Sequence, residues 1–135
     1  MVDSTDFNKW LKRASQDLRT ASNNLQDDPV FLADAICYSC QQAAEKAMKA
    51  YLLSQRRKVP NTHDLRYLLQ LCRSFDSEVD SLQEAIRELS EYAVEARYPG
   101  DNFGDITADD AKQAYECSGT VVEYVSSRVI KASNV

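Results

Sequence analysis

CQQAAEKAMKAYL, residues 40–52, decides the fold class: its apolar side chains Cys40, Ala43, Ala44, Ala47, Met48, Tyr51 and Leu52 recur at the i, i+3, i+4, i+7 steps of an α-helix. Ile36 carries the stripe further back. Small side chains on this stripe let a neighbouring helix approach closely, so the spacing predicts a central, most buried helix from Phe31 to about Gln55. The basic turn RRKVPN, residues 56–61, ends it, because Pro60 cannot continue a helix.

Working outward, Phe7, Trp10, Leu11, Ala14, Leu18, Ala21 and Leu25 give the same period for an earlier surface helix, capped by Thr5 or Asp6 and stopped by Asp27, Asp28 and Pro29. After the basic turn, Thr62 is the expected cap of a short helix with Leu65, Leu68, Leu69 and Cys72 inward. Asp76 or Ser77 starts a fourth helix with Val79, Leu82, Ile86, Leu89 and Ala93 inward, ending at EARYPGD, residues 95–101. Thr107 opens the last helix, with Asp110 reaching back as a form of capping box, and Ala111, Ala114, Val121, Val122, Val125 and Val129 face inward. No segment alternates with period two. The expectation is an all-α, up-and-down bundle of four long helices plus one short helix, in a single domain over residues 1–135.

Composition narrows the function. The chain is 44% hydrophobic and 27% charged, ordinary for a globular protein, and MVDSTDFNKW has no apolar run behind a basic start. No uninterrupted apolar run is long enough to span a bilayer, so the expectation is a cytoplasmic protein with no membrane association. Cys37, Cys40, Cys72 and Cys117 are then expected to stay reduced and to serve as small apolar residues. A net charge of −5 and a pI near 4.9 exclude a protein that holds nucleic acid by its overall charge, so any nucleotide or RNA contact has to come from a local patch.

Candidate chemistry is sparse. Glu45 and Lys49, four apart, can pair on the helix surface, and Lys46 sits near the edge of the apolar face; the plain reading is a solvated face beside an alanine-rich core. His63, the one histidine, follows the expected cap Thr62 and so stands in a first helical turn, where backbone N–H groups suit phosphate and where a local hydrogen-bonding role is the commoner one. Cys37 and Cys40 form a CxxC inside a helix, without the loop or further ligands of a redox or zinc site. There is no glycine-rich phosphate loop and no HExxH, and neither a cofactor nor a metal is expected. The acids of GDITADD, residues 104–110, are explained by the helix N-terminus. Arg97 closes the fourth helix, where it can complement the helix dipole; beside Tyr98 and a loop stiffened by Pro99 it also suits bidentate phosphate binding, with a base or ribose laid on the ring.

Taken in order and spacing, CQQAAEKAMKAYL, THDLRYLL (residues 62–69) and EYAVEARYPGD (residues 91–101) resemble the HEPN domain family of small helical bundles, from about Trp10 to the last helix. The resemblance implies a four- to five-helix bundle, usually a homodimer, often partnered by a minimal nucleotidyltransferase. Some members are RNA-cleaving toxins and others are associated with nucleotide binding. Ribonuclease members follow an arginine with a histidine four to six residues later. Here Arg97 matches the arginine, but the next residues are Tyr98, Pro99, Gly100, Asp101, Asn102, Phe103 and Gly104. His63 has its own match in the family's H-x-L segment, which leaves no general base beside the arginine. The RYP of residues 97–99 resembles the non-nuclease branch. On that resemblance Arg97 and Lys49 would hold phosphate, with Lys46 nearby, His63 hydrogen-bonding and Tyr98 stacking on a nucleotide. The rival readings are a metal-independent ribonuclease toxin with a degenerate motif and a purely structural module.

Overall fold

The computed structural model describes residues 6–97 and 106–133, and side chains from Phe7 to Tyr92 and from Ile106 to Val129. Five α-helices follow one another: α1 (Asp6–Asp27), α2 (Ala33–Ser54), α3 (Leu65–Arg73), α4 (Gln83–Arg97) and α5 (Ala108–Ser133). The short helix is α3, and among the described residues there is no strand, so the all-α bundle is as the apolar spacing predicts.

The centre of the bundle is α2, which packs against each of the other four helices. Its alanines make this possible: Ala33, Ala43, Ala44, Ala47 and Ala50 are all buried, and with side chains this small several neighbours can approach one helix at once. The remaining space is filled by Ile36, Met48 and Leu52 of α2, Leu68 of α3, Ile86 and Leu89 of α4, and Val121, Val125 and Val129 of α5. Two buried side chains tie α2 to its neighbours. Gln41 Nε2 donates to the Leu89 carbonyl at 2.9 Å, and Ser118 Oγ to the Cys40 carbonyl at 2.6 Å. None of the four cysteines is in a disulfide. Cys37, Cys40 and Cys72 are buried, and desolvation pushes the Cys72 thiol up to about 12.

The helix ends correct several boundaries. The second helix begins at Ala33 rather than Phe31, because Asp28 accepts from the Phe31 and Leu32 N–H groups in a preceding turn, leaving Phe31 83% exposed. Its C-terminus closes through Arg56 in the left-handed region (φ 57), with the Arg56 N–H bonded to the Leu53 carbonyl and the Arg57 N–H to that of Leu52. The cap of α3 is Asp64 and not Thr62. Asp64 Oδ1 accepts from the N–H groups of Arg66 and Tyr67 at 3.0 and 3.2 Å, while Thr62 Oγ1 only accepts from the Asp64 N–H. A carboxylate at the positive end of a helix outcompetes a hydroxyl two residues earlier. Asp76 does cap the next segment, but its opening residues Ser77–Leu82 form a 3₁₀ helix before α4. The capping box of α5 is reciprocal, with Thr107 N–H to Asp110 Oδ2 at 2.9 Å and Asp110 N–H to Thr107 Oγ1 at 3.0 Å.

Gly119 stands in the middle of α5, and a Cβ added there meets nothing within 4 Å. Gly119→Ala therefore gains helix propensity without strain, and chemical denaturation should show the protein stabilised by about 0.5–1 kcal/mol.

Candidate functional site

The side chains singled out on α2 do not form a solvated face. Glu45 and Lys49 pair as the i, i+4 spacing allows, with Lys49 Nζ 3.0 Å from Glu45 Oε2, but their side chains are only 5% and 7% exposed. The expectation of a surface pair is thus corrected. From Cys40 to Leu53 α2 is almost wholly covered, so the polar positions Gln41, Glu45 and Lys49 are enclosed too, and Lys49 lies 5.7 Å from the ring centre of Trp10 on α1.

His63 joins the pair from the loop before α3. Its Nδ1 lies 3.0 Å from the other Glu45 oxygen, Oε1. A carboxylate can only accept, so the contact puts the proton on Nδ1; in the neutral ring Nε2 is then an acceptor, and in the imidazolium a second donor. The His63 side chain is 64% exposed while Glu45 is buried. One buried carboxylate thus orients a surface imidazole and neutralises a buried ammonium, and no buried side-chain polar atom among the described residues is left without a partner. His63 precedes the cap Asp64, so it is not in the first turn of α3, and the Arg66 and Tyr67 N–H groups are already taken by Asp64.

Lys46 has a different partner. Its Nζ lies 2.7 Å from Asp17 Oδ2 and bridges α2 to α1. Arg97 is the last residue of α4, with its side chain outside the described part, and Tyr98 lies outside the described residues. Of the five candidate residues the structure therefore brings Lys49 and His63 together, through Glu45, and gives Lys46 a separate partner. Glu45, Trp10 and Asp17 are the participants the candidate set lacked. The signal for Glu45 was available, since it sits between Ala44 and Ala47 on the helix expected to be most enclosed.

A second polar cluster lies where α2, α5 and the 3₁₀ helix meet. Asp76 Oδ2 accepts from the Tyr51 hydroxyl at 2.7 Å and the Tyr124 hydroxyl at 2.6 Å, Oδ1 accepts from the Glu78 N–H at 3.0 Å, and Arg128 Nη1 stands 3.9 Å away. Burial opposes the Asp76 charge, but the tyrosine and backbone donors and Arg128 outweigh it and hold its carboxyl below the usual range. Desolvation first, and then the hydrogen bonds to Asp76 and its charge, push both tyrosines up, with Arg128 opposing.

With this geometry in hand, comparison with known proteins is specific. Residues 7–129 match the family model described as HEPN domain. The chain belongs to the HEPN family. Among solved structures, this HEPN chain is similar to TT1696 from Thermus thermophilus, at 27% identity and a TM-score of 0.72, over 94% of this chain and 98% of that one. It also shares its fold with ST0689, an archaeal HEPN homologue, at 23% identity and a TM-score of 0.71, over 91% and 97% of the two chains. No curated protein matches the sequence. No helix among the described residues is long and apolar enough to cross a membrane.

Proposed function

We propose that this HEPN protein binds a nucleotide or nucleotide-like anion, as the homodimeric partner of a nucleotidyltransferase, and does not cleave RNA. The observation that carries the reading is the Glu45 carboxylate shared between Lys49 and His63 at 3.0 Å each, which holds an exposed imidazole in one orientation. A fixed imidazole with a free edge is a hydrogen-bonding or phosphate-binding group. In this proposal Arg97 takes the phosphate, His63 hydrogen-bonds it and Tyr98 offers a stacking surface, while Lys49, buried against Glu45, steadies the carboxylate that orients His63. Lys46, held by Asp17, contributes charge from the flank. The only histidine is engaged with α2, and none stands among residues 98–104, which supports binding over a histidine-dependent cut of RNA. Val30 and Phe31, 76% and 83% exposed at the α1–α2 turn, offer apolar surface suited to a second copy.

The test is thermal unfolding with a panel of nucleotides, since a ligand that binds only the folded state raises the melting temperature. Arg97→Ala should lower intrinsic stability by only about 0.3–1 kcal/mol, the worth of a charge at a helix end. It should cost roughly 1.5–3 kcal/mol of ligand binding, tenfold to a hundredfold in affinity, as a lost charged hydrogen-bond partner does. His63→Ala should weaken the same ligand while the protein stays folded. Absence of any shift at millimolar nucleotide refutes the binding reading, and Arg97-dependent degradation of RNA refutes the non-nuclease reading.

A further inference from the structure

Away from the Glu45 cluster, α3 and α4 enclose a groove of about 380 Å³ lined by Arg66, Leu69, Gln70, Arg73, Gln83, Ile86 and Arg87. The lining has a simple origin in the sequence: residues 66, 69, 70 and 73 share one face of α3, and 83, 86 and 87 share one face of α4. Leu69 and Ile86 are buried and make an apolar floor, while the three arginines and two glutamines are exposed and stand around it. No carboxylate lines the groove, although the chain carries 21 acidic residues against 16 basic ones.

We propose that this groove is a binding site for a small organic phosphomonoester, separate from the site of the proposed nucleotide function. Arg66 is the primary phosphate ligand, because its guanidinium has no ion pair or hydrogen bond among the described residues. Arg73 and Arg87 are held at the rim by carboxylates outside the groove, Arg73 by Asp80 and Arg87 by Glu84 and Glu91. Such exposed pairs contribute little to stability, so an incoming phosphate can replace a carboxylate at small cost. The guanidinium fork matches a phosphate with two parallel hydrogen bonds. The apolar floor and the amides of Gln70 and Gln83 take the body of the ligand, and a volume near 380 Å³ is at the small end of ligand pockets, which run from roughly 300 to 1,000 Å³. A nucleic-acid strand is the weaker occupant. Three arginines neutralise few phosphates, and a net charge of −5 repels a polyanion.

The experiment is a titration of the full chain, followed by NMR of the arginine side-chain Nε–H and backbone amide signals, with inorganic phosphate, adenosine 5′-monophosphate and a short single-stranded RNA as separate probes. Adenosine 5′-monophosphate should move the Arg66, Arg73 and Arg87 signals saturably and at least about tenfold more tightly than inorganic phosphate. Arg66→Ala should weaken it by at least about tenfold, as a lost charged partner does, and Arg66→Ala with Arg73→Ala should abolish the response. His63→Ala should leave this response unchanged, which separates the groove from the Glu45 cluster. The proposal is overturned if no groove signal saturates by about 10 mM, if Arg66→Ala has no effect, if inorganic phosphate binds as tightly as the nucleotide, or if RNA occupies the groove at lower concentration than the mononucleotide. Shifts confined to Lys49 and His63 would sustain the proposed function and refute this site.

Discussion

Glu45→Ala should destabilise the protein by about 3–5 kcal/mol, the cost of leaving a buried charge without its counter-ion. Lys49 is the stranded charge. Its side chain is 7% exposed and among the described residues its ammonium reaches only Glu45 and the face of Trp10, which cannot replace a carboxylate. Lys49→Met should cost less, because the Glu45 carboxylate it leaves behind retains His63 at 3.0 Å. Removing both charges at once, with Glu45→Leu and Lys49→Met, should restore stability to within about 1 kcal/mol of the parent, since a buried ion pair gains little over apolar side chains of similar volume. Urea denaturation of the two single variants and the double variant closes the cycle. A cost below about 1 kcal/mol for Glu45→Ala would show that water reaches the pair as it does at the surface. If nucleotide binding uses this cluster, the double variant should be folded and unresponsive, which distinguishes a functional from a structural reason for keeping charges inside the bundle.

Why the sequence misplaces that pair, while locating the helices well, has a physical answer. Apolar periodicity reports the face a helix turns to the core, and α1 and α5 keep an exposed face opposite it, so their inward residues and the Thr107–Asp110 cap are legible. In α2 from Cys40 onward the same rule fails, because neighbouring helices cover it and the polar positions Gln41, Glu45 and Lys49 are enclosed too. The caps depend on smaller differences. Thr62 and Asp64 both have side chains able to cap, and choosing the wrong one carries His63 from outside α3 into its first turn. Tertiary polar contacts are least visible: Tyr51 and Tyr124 reach Asp76 across 25 and 48 residues of chain, and no local pattern links them. The Lys49–His63 association is of that type, with Glu45 the link that local reading assigns to the surface.

Asp76→Ala should be comparably severe, at about 3–5 kcal/mol, because one carboxylate both caps the 3₁₀ helix and receives hydroxyls from two other helices. Its loss leaves the Tyr51 hydroxyl without an acceptor in a residue that is 4% exposed, and frees Arg128, which otherwise lies over the Tyr124 ring at 4.8 Å and pairs with Glu78. Asp76→Asn should cost less, about 1–2 kcal/mol, since the one amide oxygen of asparagine can keep the cap while its NH2 donates to the tyrosine hydroxyls, but the charge is lost. The pH dependence separates charge from shape. The folded-state pKa of Asp76 lies below its unfolded value, so between the two the unfolded chain binds the extra proton. The stabilisation is therefore complete above the unfolded value, near pH 4, and is lost as pH falls through the lower folded value. The gap in unfolding free energy between the parent and Asp76→Asn should be constant from about pH 8 to pH 5 and shrink on further acidification. At the alkaline end the sign reverses: Tyr51 and Tyr124 are raised in the folded protein, so their contribution is present below about pH 10 and falls as pH rises beyond it. Tyr51→Phe and Tyr124→Phe should each cost about 1–3 kcal/mol and flatten that alkaline limb. An acid-limb gap that stays constant down to about pH 2 would mean that Asp76 is held by the geometry of its cap alone, and not by the charge its two tyrosines and arginine stabilise.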